Sequence, residues 1–312
     1  MANILILGAG SMGTAFSFPC SDNGHSVSVI GTHLENDFID KINSTKKHPT
    51  LDCEVQKNVK FFKFEKLKEE INKKIDLIVI AVVSKGIEWA SNEISKVLKN
   101  NAPILILTKG LAINNNNYEV LAHKMERLLK KNGIKETNIS AAGGPCLAKN
   151  LANKAHTAVV FANNDIKIAE KISKLVSTDY YHVSTSDDVV GVETCAAIKN
   201  IFSMAVGASQ GLCDAKQSKE KNYLNTAAAL MQESIYEMIT FVEKLKGKKE
   251  TVIGLAGIGD LYVSADGGRN SKMGEYLGKG MTFQQAKKTK MPSITVEGAD
   301  LALEIGPKIK TD

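Results

Sequence analysis

The chain has 312 residues, 43% hydrophobic and 24% charged, a size that admits two domains and a composition ordinary for a soluble globular protein. Its net charge of +6 suits an anionic substrate or cofactor but is too diffuse for nucleic acid, and runs such as Lys246-Gly247-Lys248-Lys249 read as solvated loops or helix ends. Five cysteines without a CxxC pair and six histidines without HxxxH spacing argue against a disulfide framework and a metal site.

The N-terminus, Met-Ala-Asn, runs straight into an apolar stretch, Ile4-Leu5-Ile6-Leu7, with no charged leader region; the expected compartment is a reducing cytoplasm. Directly behind that strand comes Gly8-Ala9-Gly10-Ser11-Met12-Gly13, opening a helix from Thr14. Strand, tight turn and helix with glycines at the first, third and sixth places form the dinucleotide fingerprint. Gly8 makes the turn, Gly10 lets the backbone approach a pyrophosphate, and Gly13 lets helix and strand pack closely. Further strands are predicted at 26–30, 59–62, 77–83, 104–108, 138–142, 157–161 and 180–183, with helices between them at 87–99 and 118–130. Continuous apolar strands alternating with helices imply an α/β, Rossmann-type doubly wound parallel sheet. The tract Asn114–Asn117 reads as a loop.

From about Asp187 helical periodicity takes over, at 189–213, 223–246, 251–258, 273–278, 282–289 and 296–305. The expectation is a dinucleotide-binding domain over residues 1–186 and an all-helical substrate domain over 187–312. The stretch 189–213 is long and apolar, but Glu193, Lys199, Asn200 and Gln210 within it favour a buried core helix over a membrane span.

Ligands of such sheets bind at the carboxyl ends of the strands. The end of the second strand normally carries an acid for the ribose of NAD or an arginine for the 2′-phosphate of NADP. Here stand Thr32 and His33, with Glu35 and Asp37 a little further on, and both cofactors stay open. Lys199, among small and apolar residues on the long central helix, is costly to bury; desolvation would lower its pKa and make it a usable general acid/base, unless it reaches out to solvent. Asp260, in Gly257-Ile-Gly259-Asp260, either orients Lys199 or caps a helix. Gly267-Gly268-Arg269-Asn270 reads as an anion-binding nest or a surface loop. Lys109, after the fifth strand, adds a second lysine. Two lysines, an arginine and an aspartate suggest a phosphorylated alcohol or ketone as substrate of a hydride transfer.

These residues together resemble the NAD(P)-dependent glycerol-3-phosphate dehydrogenase family, prokaryotic type. The resemblance runs in order through nearly the whole chain: GAGSMGTA at 8–15, TKGL at 108–111, GGP at 143–145, AIKN at 197–200, GIGDL at 257–261, GGRN at 267–270 and VEG at 296–298. It implies reversible oxidation of glycerol 3-phosphate to glycerone phosphate, with Lys199 as proton acceptor and Lys109 touching cofactor and substrate. It also implies that Asp260, Asn270, Gly144, Cys146, Asn200, Ser264, Gly268 and Arg269 lie on the substrate side. Ser11, Met12, Thr32, His33, Ala148, Arg269 and Glu297 are implied for the cofactor, NAD or NADP, beside Gly8, Gly10 and Gly13. No metal is implied, and a homodimer is left open.

The chain departs from the family pattern in several places. Lys149-Asn150 stands where a glutamate usually follows the Gly-Pro motif, Cys146 where serine is frequent, Glu233 where an arginine is expected, and Ser264 where threonine is common. The sequence also stops at Asp312, before the final helical segment that members generally carry. The competing readings are a ketopantoate reductase or β-hydroxyacid dehydrogenase of the same two-domain plan, and a dinucleotide-binding protein without catalysis. The GIGDL and GGRN loops favour the phosphorylated substrate over the first.

Overall fold

The computed structural model describes residues 1–98, 101–215, 223–292 and 294–312. The chain divides into two compact units: residues 1–109, 121–142 and 146–189 form the first, and residues 110–120, 143–145 and 190–312 the second.

An eight-stranded sheet forms the first unit. Numbered along the chain, its strands are β1 (Asn3–Leu7), β2 (Ser26–Ile30), β3 (Val59–Phe62), β4 (Leu77–Ile80), β5 (Ile104–Ile106), β6 (Ile139–Gly143), β7 (Thr157–Ala162) and β8 (Tyr181–Ser186). Their spatial order is β8-β7-β6-β5-β4-β1-β2-β3. The run β3-β2-β1-β4-β5-β6 is the order of a dinucleotide-binding sheet, with its switch point between β1 and β4. β1 pairs in parallel with β2 and β4, β2 with β3, and β5 with β4 and β6. Ile4 to Leu7 and Leu77 to Ile80 are all buried, which is why these strands read as unbroken apolar runs.

The outer two strands run the other way. β7 and β8 are parallel to each other. Asn163, just past the end of β7, donates from Nδ2 to Ile139 O (3.0 Å) and Ser140 Oγ (2.8 Å) at the start of β6, so β7 is antiparallel to β6. The link between those strands carries only a five-residue helix, Ala148–Ala152, too short for a crossover covering the sheet. The helix Ser11–Asp22 packs along the sheet, and Phe16 on it meets Phe161 and Tyr181 at ring-centroid distances of 6.4 and 6.1 Å.

The expected helix at 118–130 begins later, at Leu121, and the residues before it form a β-hairpin, Leu111–Asn114 with Asn117–Val120. The turn is Asn115-Asn116, with φ of 47° and 58°. Two positive φ angles in a two-residue loop make a type I′ turn, which asparagine tolerates; the polar tract closes a hairpin. The expected helix at 87–99 spans Ile87–Ser95, and Lys99 lies outside the described residues.

Helices dominate the second unit. Val189–Ala215 is long and apolar enough to cross a membrane, but most of it is buried. It crosses the helix Arg269–Gly278 at backbone contact. A Cβ on Gly207 would lie 2.1 Å from Ser271 O, one on Gly211 1.9 Å from Glu275 O, and one on Gly274 2.0 Å from Met204 O. Small residues four apart on both helices let them approach this far. The hairpin residues Leu111 and Val120 pack in the same core as Cys195, Ile198, Met238, Val242, Leu261 and Ile305. That hairpin makes this unit helical but not all-helical.

Candidate active site

In the first unit the fingerprint turn has the three steric features its glycines predict. Gly8 has φ +112°, and a Cβ there would lie 2.6 Å from Ala81 O, just past β4. A Cβ on Gly13 would sit 2.2 Å from Gly8 O, so the helix rests directly on the turn. Around Gly10 the space is open: the nearest atom to a Cβ there is Glu35 Oε1 at 4.0 Å. Gly10 is the N-cap of the helix Ser11–Asp22 and offers no side-chain cap, so among the described residues the first-turn N–H groups, those of Ser11 and Met12 included, have no capping side chain. An open, uncapped helix start after a parallel strand fits a pyrophosphate.

Two residues that the sequence motif does not include brace this turn. Glu35 folds back so that Oε2 accepts from Thr32 N–H (2.7 Å) and Ala9 N–H (3.2 Å). The strand end therefore does have a carboxylate, delivered three residues beyond Thr32. His48 holds the other side of Ala9. Its Nδ1 accepts from Thr50 and Leu51 N–H (3.2 and 3.0 Å), so Nε2 carries the hydrogen and donates to Ala9 O at 3.2 Å. Thr14 Oγ1 donates to the same carbonyl at 3.1 Å. Burial pushes the His48 pKa below its ordinary 6.5, against opposing contributions from the Ala9 carbonyl and Glu35. His33 lies against Trp89, ring centroids 5.0 Å apart.

In the second unit Lys199 is 5% exposed and Asp260 2%, which excludes a lysine reaching out to solvent. Lys199 Nζ donates to Asp260 Oδ1, and to Ser264 Oγ at 2.6 Å. Sixty-one residues separate the pair in sequence. A π-helical turn, Leu255–Gly259, delivers Asp260 as the first residue of the helix Asp260–Ala265. Its carboxylate is engaged by the lysine, and the cap is Gly259. Such π-turns gather at functional sites because the extra residue re-aims the side chains beyond it.

Beside that pair, Asn270 Nδ2 donates to Asn200 Oδ1 (3.0 Å), while Gly298 N–H donates to Asn270 Oδ1 (2.8 Å). A Cβ on Gly298 would meet Asn200 O at 2.4 Å, which explains the glycine of the VEG motif. Gly268 starts the helix of Arg269 and Asn270, and a Cβ there would lie 2.6 Å from Ser264 O. Arg269 pairs with Glu297 at the surface. AIKN, GIGDL, GGRN and VEG thus meet in one polar cluster, buried at Lys199, Asn200, Asp260 and Asn270 and reaching the surface at Arg269 and Glu297.

The family models carry these motifs end to end. The model for the N-terminus of NAD-dependent glycerol-3-phosphate dehydrogenase matches residues 3–169, and the one for its C-terminus matches residues 188–311. The chain belongs to this family. An NADP(+)-dependent glycerol-3-phosphate dehydrogenase from Archaeoglobus fulgidus is 31% identical over 99% of the chain and 91% of its own length. A glycerol-3-phosphate dehydrogenase [NAD(P)+] from Clostridium tetani is 31% identical over 91% of the chain and 76% of its own length. The crystal structure of the glycerol-3-phosphate dehydrogenase from Coxiella burnetii superposes with a TM-score of 0.83 at 25% identity, covering 99% of the chain and 90% of that structure.

Four further residues that the family resemblance assigns are Lys109, Gly144, Cys146 and Ala148. Lys109 follows Thr108, whose Oγ1 donates to Val82 O at 2.7 Å. Gly144 has φ +115°, next to Gly143, where a Cβ would lie 2.7 Å from Val192 Cγ1. Cys146 is half-buried, and Ala148 opens the short helix Ala148–Ala152. Glu233 is exposed on the helix Tyr223–Lys244, so the arginine missing there leaves no buried gap.

Proposed function

We infer that the chain catalyses reversible hydride transfer between sn-glycerol 3-phosphate and NAD or NADP, giving glycerone phosphate, with Lys199 as general base. The observation that carries this reading is the buried Lys199–Asp260–Ser264 cluster in a member of this family. Residues 1–186 are read as the dinucleotide-binding domain and 187–312 as the substrate domain.

Gly8, Gly10, Ser11, Met12 and Gly13 would hold the pyrophosphate, with Thr32, His33, Lys109, Ala148, Arg269 and Glu297 completing the cofactor's contacts. The open space at Gly10 and the uncapped helix start fit that group. When bound, the nicotinamide supplies the hydride acceptor. Lys199 takes the proton of the substrate's secondary hydroxyl as the C–H pair of electrons leaves that carbon, and in reduction returns it. Burial disfavours an ammonium and the Asp260 carboxylate favours it, so the two influences meet on the nitrogen that must both hold and release a proton. Asp260 and Ser264 orient it. Asn200, Gly268, Arg269 and Asn270, with Lys109, Gly144 and Cys146, hold the phosphorylated substrate.

The test is oxidation of NADH and, separately, NADPH with glycerone phosphate, beside Lys199→Ala. Turnover that is lost in the variant while NADH binding survives supports the reading. Cofactor binding without turnover in the natural chain would sink it.

A further inference from the structure

We propose that His48 is a positioning residue for the dinucleotide, acting through the carbonyl of Ala9. The inference rests on the dinucleotide-binding reading and adds a part to it that lies outside the fingerprint. His48 belongs to a small hairpin, Lys47–His48 with Cys53–Glu54, beyond the second strand of the sheet and the helix behind it. The ring is 1% exposed and meets the edge of Phe38 at a centroid distance of 4.9 Å.

Three features separate this histidine from one that only fills space. Its tautomer is fixed, because Nδ1 is taken by two backbone N–H groups of the turn Thr50–Leu51, which leaves Nε2–H as a donor of known direction. That donor points at Ala9 O, between the first and second glycines of the fingerprint. The carbonyl already has a hydrogen bond from Thr14 Oγ1, so the second donor is not needed to satisfy a buried acceptor. What it adds is direction. With Glu35 on the Ala9 N–H, both polar groups of this residue are gripped, and the peptide leading into Gly10 has one orientation. The uncapped N–H groups at the start of the next helix inherit it.

The experiment compares two variants that divide the ring's two hydrogen bonds. His48→Asn keeps an acceptor near the Nδ1 place for the Thr50–Leu51 turn but is too short to reach Ala9. His48→Gln keeps a donor near the Nε2 place but loses the turn's acceptor. The readouts are the Kd for NADH by fluorescence titration, the Tm without cofactor, and the KM for glycerone phosphate at saturating NADH.

Loss of one directional hydrogen bond predicts about a tenfold rise in Kd for His48→Asn, against less than about threefold for His48→Gln, whatever their order in Tm. KM for glycerone phosphate stays unchanged in both. Kd values that rise only in step with falling Tm, or an asparagine variant that binds like the natural chain, overturn the proposal. A natural chain that binds neither NADH nor NADPH overturns it together with the proposed function. A natural chain that binds and turns over, with His48→Asn indistinguishable from it, removes only the role of His48.

Discussion

The dinucleotide turn and the lysine cluster reach a defined geometry by opposite means. The turn is backbone against backbone: Gly8, Gly10 and Gly13 work by lacking side chains, within six positions of the chain. The cluster is side chain against side chain: Lys199 and Asn200, Asp260 and Ser264, and Asn270 come from three helices and pair their polar atoms with one another. The turn therefore fails by gaining atoms, and the cluster by losing partners.

Lys199→Met tests the cluster hardest. Activity falls by roughly 10²–10⁴-fold, the range for loss of a general acid/base, while NADH titration gives an unchanged Kd. Asp260→Leu alone leaves a buried lysine without its carboxylate and costs about 3–5 kcal/mol by denaturant unfolding. Adding Lys199→Met to it regains most of that loss, because two apolar residues then replace both charges. A double variant no more stable than Asp260→Leu would show that the pair is not the unit the contrast makes it.

The turn breaks differently at each glycine. Gly8→Ala places a methyl group against Ala81 O at positive φ and costs about 3 kcal/mol or more in unfolding free energy. Gly10→Ala meets open space, so stability changes by less than about 1 kcal/mol and the loss falls on NADH affinity. Equal destabilisation at both positions would erase the distinction between a packing glycine and a ligand-facing one.

The smallest effect is a pH dependence. The folded chain binds His48 in its neutral form, with a pKa held below 6.5 by burial. Its contribution is complete above that value and drains away as the pH falls below it. Unfolding free energy measured between pH 7 and pH 5 therefore drops more steeply for the natural chain than for His48→Gln. Parallel curves would show that the histidine titrates alike in both states.

What could be read from the sequence divides along the same contrast. The turn was legible because its parts are neighbours and each glycine has a separate steric reason. The buried strands were legible as apolar runs, with ends a few residues off. The hairpin at 111–120 was not, since the helical spacing from Leu121 onward extends smoothly back to Tyr118 and hides the strand before it. The Lys199–Asp260 contact could be stated only as a condition, because nothing local says that residues 61 apart will meet. Glu35 and His48 carried no motif. Their effect depends on how residues 32–51 fold back on Ala9, and period and spacing do not encode that. The reversed outer strands were hidden too, because parallel and antiparallel buried strands have the same composition.

The hairpin also bears on how this protein could be cut. Its polypeptide leaves the first unit at Gly110, returns at Leu121, visits the second again for Gly143–Pro145, and departs finally at Val190. A fragment ending near residue 186 would keep Leu111 and Val120 yet discard the core residues, Cys195 and Met238 among them, that cover them. The halves are interleaved rather than strung in series. Exchanging one with a homologue's would mean transplanting three separate stretches of sequence, and a single nick between them would not yield two self-sufficient pieces.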